Sequence, residues 1–356
     1  MRKLRLPAAA SLLLGIAAIV CTHIQPTVAA PPQAIVLAPA EAVVVDHTSL
    51  PLFEQIPEQY LVAAANIRMA FVDRSVGANI SHGLDCLAYP SDEAAPTACK
   101  RYTHVVPAFS SPASEVNWSR QGGYNRSNWT YFGWPGMEIF PELPCGVDCG
   151  MWYDKMKCFI RYVDANPDQY QVYSYQNSYL EVDEASDIAS ATNGYFADQA
   201  NRYDIGDFEA MEARHPGVLF IHHTSSLARS AGTQVSTSFN DQTRRYVRAH
   251  NKYLLDVADI ESHDPSGNPC YDNRDGVPYE TPSNSENYPD DGLALPAICQ
   301  HYTPEANGGH LGNPDVGAIR LAKAFWILMA RIAGWNPDGS GTKPPAAPAN
   351  VRIIRQ

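Results

Sequence analysis

The hydrophobic pattern alternates between two kinds of segment. Short apolar runs at 67–72, 103–107, 171–176, 217–222 and 254–260 have the length and β-branched or aromatic content of buried strands. Between them lie stretches with helical spacing of apolar positions: part of Leu143–Asn166, Tyr195–His215, Asp241–Leu255 and Ala318–Gly334. Strands alternating with helices predict an α/β fold, a three-layer α/β/α sandwich around a parallel sheet of about five strands, with right-handed crossovers. Two stretches, 77–102 and 261–309, are rich in Gly, Pro, Asn and charge and are expected as long loops at the rim of a site. No internal repeat is visible.

The ends read differently. Residues 1–30 combine a basic start (Arg2, Lys3, Arg5), an apolar run from Leu6 to Val20, and Val28-Ala29-Ala30 before Pro31, the layout of a secretory signal peptide. A membrane anchor fits less well because the apolar run is short, and a lipidated Cys21 lacks the small residue expected before it. Residues 31–60, rich in Pro and Ala, are expected to wrap the surface of one domain over 61–336; Pro-rich 337–356 reads as a tail or linker. The chain is thus expected in the secreted or periplasmic space.

Charge and cysteine content narrow the partners. The formal charge is −12, and removal of residues 1–30 takes away three cations and no acid, giving −15. That balance argues against nucleic acid, and nothing points to stable membrane insertion. Cys86, Cys99, Cys145, Cys149, Cys158, Cys270 and Cys299 remain in an exported chain. Local spacing suggests Cys86 with Cys99 and Cys270 with Cys299, a third bridge among Cys145, Cys149 and Cys158, and one thiol left over. A zinc site built from Cys145, Cys149 and His222-His223 is a weaker reading, because no second close ligand pair follows; no metal and no cofactor are expected. Asn79, Asn117, Asn125 and Asn128 head glycosylation sequons, although Asn79 lies too near Ser75 to carry a glycan.

Candidate chemistry begins at Ser75, where the apolar run Met69-Ala-Phe-Val72 breaks into a turn containing Gly77. A serine just past the carboxyl end of a parallel strand presents its hydroxyl at the mouth of the sheet, although such a serine is also an ordinary helix cap. A serine needs a base to become a nucleophile, and His310, in Gly308-Gly-His-Leu-Gly-Asn313, is the candidate. Asn177, ending Tyr173-Ser-Tyr-Gln-Asn177, could donate an amide N–H to a developing oxyanion, or simply satisfy turn backbone.

Asp73-Arg74-Ser75-Val76-Gly77, Asn177 and His310-Leu311-Gly312-Asn313 followed by a helix together resemble the blocks of the SGNH (GDSL-like) hydrolase superfamily, in its divergent "HSVG"-type branch. The likeness spans about residues 65–335. It implies a flavodoxin-like sheet, Ser75 as nucleophile and His310 as general base. The implied oxyanion hole comprises Asn177, the Ser75 backbone N–H and a glycine after the second strand, best matched by Gly122 or Gly123, with Gly133 also open.

Two departures stand out. The family's Asp-x-x-His is Asn307-x-x-His310 here, which leaves three readings: a dyad oriented by a backbone carbonyl, a substitute acid such as Glu305 or Asp315, or lost activity. Asp73-Arg74 replaces small or histidine residues before the serine. The resemblance implies a secreted serine esterase acting on a small-molecule or polysaccharide ester, above all O-acetyl groups on carbohydrate. Trp118, Tyr124, Trp129, Tyr131 and Trp134 are expected at the rim, stacking on sugar rings or forming ordinary core. The alternative is an inactive glycan-binding protein on the same fold.

Overall fold

A computed structural model describes residues 39–73, 75–91, 93–99, 124–133, 152–182, 187–199, 202–229, 234–272, 279–281, 284–286, 292–303, 305, 308–312 and 316–337. Six strands form one parallel sheet: β1 (Val43–Val45), β2 (Met69–Asp73), β3 (Trp129–Gly133), β4 (Val172–Tyr175), β5 (Leu219–His223) and β6 (Tyr253–Leu255), in the order β1-β6-β5-β4-β2-β3. Without β1, this is the flavodoxin-like order expected.

The central strands are apolar on both faces because both faces are covered. Met69 and Phe71 of β2, Val172 of β4 and Ile221 of β5 enter one core, with Leu84 and Phe325 from the helices Ser75–Ala88 and Val316–Ile332. Ala70, Val72, Tyr173, Tyr175 and Phe220 point the other way, into a second core with Phe159, Phe208 and Phe239. These three phenylalanines come from the helices Lys155–Ala165, Ile205–Arg214 and Gln234–Ala249. The two-residue alternation along each strand thus divides the apolar side chains between two helical layers.

The sequence expectations are adjusted at several places. The run 254–260 is strand only as far as Leu255; Val257–Glu261 is a helix whose N-cap Asp256 accepts from the Asp259 N–H. Residues 75–88, read largely as loop, form a helix. Its small and polar residues Gly77, Asn79, Ser81 and Gly83 are buried against neighbouring elements, so composition concealed a packed face. The stretch 31–60 does more than cover the surface: β1 is the edge strand beside β6, and Leu50, Phe53 and Ile56 enter the core. The strand beside β2 is 129–133; the run 103–107 lies outside the described residues.

Cys86–Cys99 and Cys270–Cys299 are disulfides, closing the loops expected from their spacing. Cys158 is also disulfide-bonded, its partner outside the described residues. Among the described residues no helix is long and apolar enough to cross a membrane. The disulfides are consistent with an extracellular or periplasmic setting.

Candidate active site

The strand order reverses at β2, which has β3 on one side and β4 on the other. A crevice opens outside the carboxyl ends of strands at such a switch point. Ser75 begins its helix two residues after β2 ends, so backbone N–H groups of the first turn lack helical partners there. Asn177 follows β4 by two residues, and a hydrogen bond from the Gln176 N–H to the Val72 carbonyl (3.1 Å) extends the ladder up to it. Asn177 is buried, its carbonyl accepts from the Ser226 N–H, and its Oδ1 has no partner among the described residues.

His310 reaches this crevice from the loop before the helix Val316–Ile332. Its Nε2 lies 2.8 Å from Ser75 Oγ, and its Nδ1 lies 2.5 Å from Glu305 Oε1. Glu305 Oε2 also accepts from the His310 backbone N–H at 3.2 Å. Burial raises the Glu305 carboxyl pKa, but the hydrogen bonds from His310 outweigh it and hold the group below its ordinary value. An ionised carboxylate can only accept, so Nδ1 carries the proton and the Nε2 lone pair faces the serine hydroxyl. The same hydrogen bond raises the His310 pKa above 6.5, against a smaller opposing effect of burial.

Glu305 is therefore the acid at the imidazole. Nδ1 has one in-plane partner position and Nε2 another, and both are taken. Asn307 and Asp315 lie outside the described residues. Residue spacing concealed the choice, because the carboxylate is five positions before the histidine on an irregular loop.

The histidine loop is held by features that sequence reading missed. Asn79, one turn into the Ser75 helix, accepts from the Leu311 N–H (2.9 Å) and donates to the Gly312 carbonyl, which fixes the loop to the helix carrying the nucleophile candidate. This buried, fully engaged amide cannot serve as a glycan acceptor in the folded chain. Gly309 is a glycine for lack of space, since a Cβ there would lie 2.1 Å from the Leu227 carbonyl oxygen, whereas a Cβ at 308, 1.6 Å from Glu305 Oε2, would push that carboxylate away from His310. Gly77 likewise lies against Asp73, where an added Cβ would come within 2.6 Å of the Asp73 Cβ.

Beneath Ser75 lies a buried charge cluster. Lys155 Nζ sits 2.9 Å from Asp73 Oδ1 and 3.3 Å from both Glu181 oxygens, and Glu181 Oε2 accepts from the Ser178 N–H at 2.5 Å. Burial opposes the charge on Lys155, but Asp73 and Glu181 more than offset it and hold its pKa above the ordinary value. Burial raises the Glu181 pKa, with Lys155 opposing and Asp73 adding to the rise.

The remaining sequence candidates divide. Gly133 ends β3 opposite Asp73, at the carboxyl edge of the sheet, whereas Gly122 and Gly123 precede β3 and lie outside the described residues. Tyr124 and Trp129, expected at the rim, are core residues: Tyr124 stacks on Phe53, and Trp129 packs on Trp326. The Tyr131 hydroxyl donates to the Asp73 carbonyl at 3.4 Å, and Trp118 and Trp134 lie outside the described residues.

His222 and His223 point to opposite faces of β5, the first toward Glu212 (3.3 Å) and the second toward Ser174 Oγ (2.5 Å), so they cannot share an ion. Burial, helped by His222 and Lys155, lowers the His223 pKa to about 3. Among the described residues, His47, Asp259 and His263 bring possible ligand atoms within 4.8 Å of one another. Their imidazoles stack at 3.7 Å and 11°, so the in-plane lone pairs run parallel rather than converge, and both Nδ1 atoms are engaged with Asp259.

No family model matches the chain. No curated protein matches it. Among solved structures it is similar to a possible lipase from Chitinophaga pinensis DSM 2588, at 14% identity over 74% of this chain and 97% of that one, with a TM-score of 0.34. A likeness of that extent has no bearing on activity.

Proposed function

We propose that the protein is an exported serine esterase of SGNH type. The observation that carries this reading is the chain Ser75 Oγ–His310 Nε2 (2.8 Å) and His310 Nδ1–Glu305 Oε1 (2.5 Å), open at the switch point of the sheet. Ser75 attacks the ester carbonyl while His310 takes its proton. The imidazolium, stabilised by Glu305, then protonates the leaving alcohol. Water, activated by the same imidazole, releases the acid from the Ser75 acyl-enzyme.

Asn177, the Ser75 backbone N–H and Gly133 are proposed to hold the oxyanion. Gly133 replaces Gly122 and Gly123 in this role because it ends the strand beside β2. The natural ester is proposed to be an O-acetyl group on carbohydrate, which rests on the SGNH resemblance alone, since Tyr124 and Trp129 are core residues. The test pairs p-nitrophenyl acetate, butyrate and octanoate hydrolysis with fluorophosphonate labelling. Wild type is expected to hydrolyse the acetate best and to label at Ser75, and Ser75→Ala to lose both while remaining folded. Full activity in Ser75→Ala, or labelling elsewhere, overturns the reading.

A further inference from the structure

The charge cluster beneath Ser75 links the two turns on which the esterase reading rests. Asp73 is the last residue of β2, two before Ser75, and its side chain lies against Gly77 in the first turn of the helix. Lys155 begins the helix Lys155–Ala165 on the opposite layer. Glu181 lies in the short helix Tyr179–Val182 and binds the N–H of Ser178, the neighbour of Asn177. Every member is buried, with side-chain exposures of 0% for Lys155 and Asp73 and 3% for Glu181. Two carboxylates and one ammonium, fully desolvated, are a costly way to fill space, and apolar residues of similar volume would be at least as stable. What such a trio supplies is directional: donors and acceptors with fixed lengths between backbone points.

We propose that Glu181 and Lys155 are positioning residues that set the spacing between the nucleophile turn at Ser75 and the oxyanion turn at Asn177. The chain runs from Gly77 to Asp73, through the Lys155 ammonium to Glu181, and by the Ser178 N–H to Asn177. The proposal rests on the esterase reading, because it gives Asn177 its role as oxyanion donor. Neither residue touches the substrate; both act through the backbone that carries groups which do. Displacement of one reacting group by about 1 Å can cost about a hundredfold in rate, so a device that fixes this distance acts on turnover rather than on substrate affinity.

Glu181→Ala is the informative change. It cuts the link to Ser178 but leaves the neutral pair Asp73–Lys155 buried, whereas Lys155→Met alone would leave two facing carboxylates. The expected result is kcat reduced about tenfold to a hundredfold, KM within about twofold, and recovery in Glu181→Gln, which keeps an acceptor for Ser178. Adding Asn177→Ala to Glu181→Ala should cost much less than Asn177→Ala does in wild type, because the donor is already misplaced.

Should Glu181→Ala fail to fold, the triple variant Asp73→Asn/Lys155→Met/Glu181→Gln, which buries no charge there, is measured in its place and is expected to lose kcat in the same way. Unchanged kcat in the folded variant overturns the proposal, as does an undiminished cost of Asn177→Ala. The side-chain amide resonances of Asn177 supply a readout independent of turnover: they are expected to shift in Glu181→Ala and not in Glu181→Gln. Unmoved resonances overturn this inference, whereas absence of Ser75-dependent turnover overturns the esterase reading.

Discussion

Replacing Glu305 by Gln isolates the group that the sequence left open. Glu305 meets two N–H groups of His310, the ring Nδ1–H at 2.5 Å and the backbone N–H at 3.2 Å, one on each carboxylate oxygen. Glutamine has one acceptor oxygen and one NH₂, so one of those N–H groups would face a donor. The imidazole relieves the conflict by moving its proton to Nε2, the nitrogen facing Ser75 Oγ, and is then no longer a base. In serine proteases the equivalent carboxylate-to-amide change costs about 10⁴ in turnover. The Glu305 side chain is 35% exposed, so water can satisfy part of the mismatch. We expect a loss of about 10³, roughly 4 kcal/mol of barrier.

A second signature follows from the same contact. Glu305 holds the His310 pKa above 6.5, and only neutral imidazole can accept the serine proton. In wild type kcat/KM should therefore rise with pH through a pKa above 6.5, and Glu305→Gln should move that limb to lower pH. The assay is p-nitrophenyl acetate hydrolysis across the imidazole range. Asn307→Ala and Asp315→Asn serve as controls and should cost under about tenfold, because both ring nitrogens are already engaged. A Glu305→Gln enzyme within about tenfold of wild type, with its acid limb unmoved, would refute the assignment.

Two further outcomes are expected. Asn177→Ala should lower kcat by about a hundredfold to a thousandfold with KM little changed, as for a lost oxyanion donor; a rise in KM with kcat intact would make Asn177 a substrate-binding residue instead. Replacing Cys270 and Cys299 by Ser opens a loop with a sequence separation of 29. The chain-entropy estimate for such a loop is about 3.5 kcal/mol of unfolding free energy, measurable by denaturant titration, and a change under about 1 kcal/mol would show that the bridge does not constrain the unfolded chain.

The sequence alone determined most of the central strands and the helices that cover them, Ser75–Ala88 excepted, because a strand buried on both faces must be largely apolar and a covering helix usually carries an apolar stripe. It also singled out Ser75 and Asn177 as candidates, since reactive groups in this architecture follow strand ends, and His310 through its place in the resemblance. The two local disulfides were legible from spacing. Edge strands were not: β1 is a three-residue apolar run inside a Pro- and Ala-rich stretch, and β3 is only half-buried beyond Trp129.

Tertiary structure decided which carboxylate lies at the imidazole, because Glu305 reaches His310 across a loop in which a Cβ at 308 would displace that carboxylate and one at 309 would meet the Leu227 carbonyl oxygen. It also decided that Tyr124 and Trp129 belong to the core, and it joined Asp73, Lys155 and Glu181, three charges more than twenty residues apart from one to the next. Periodicity reports which face of an element is apolar. It carries no signal for a polar contact made once, between distant segments, by atoms whose distances only the folded chain sets.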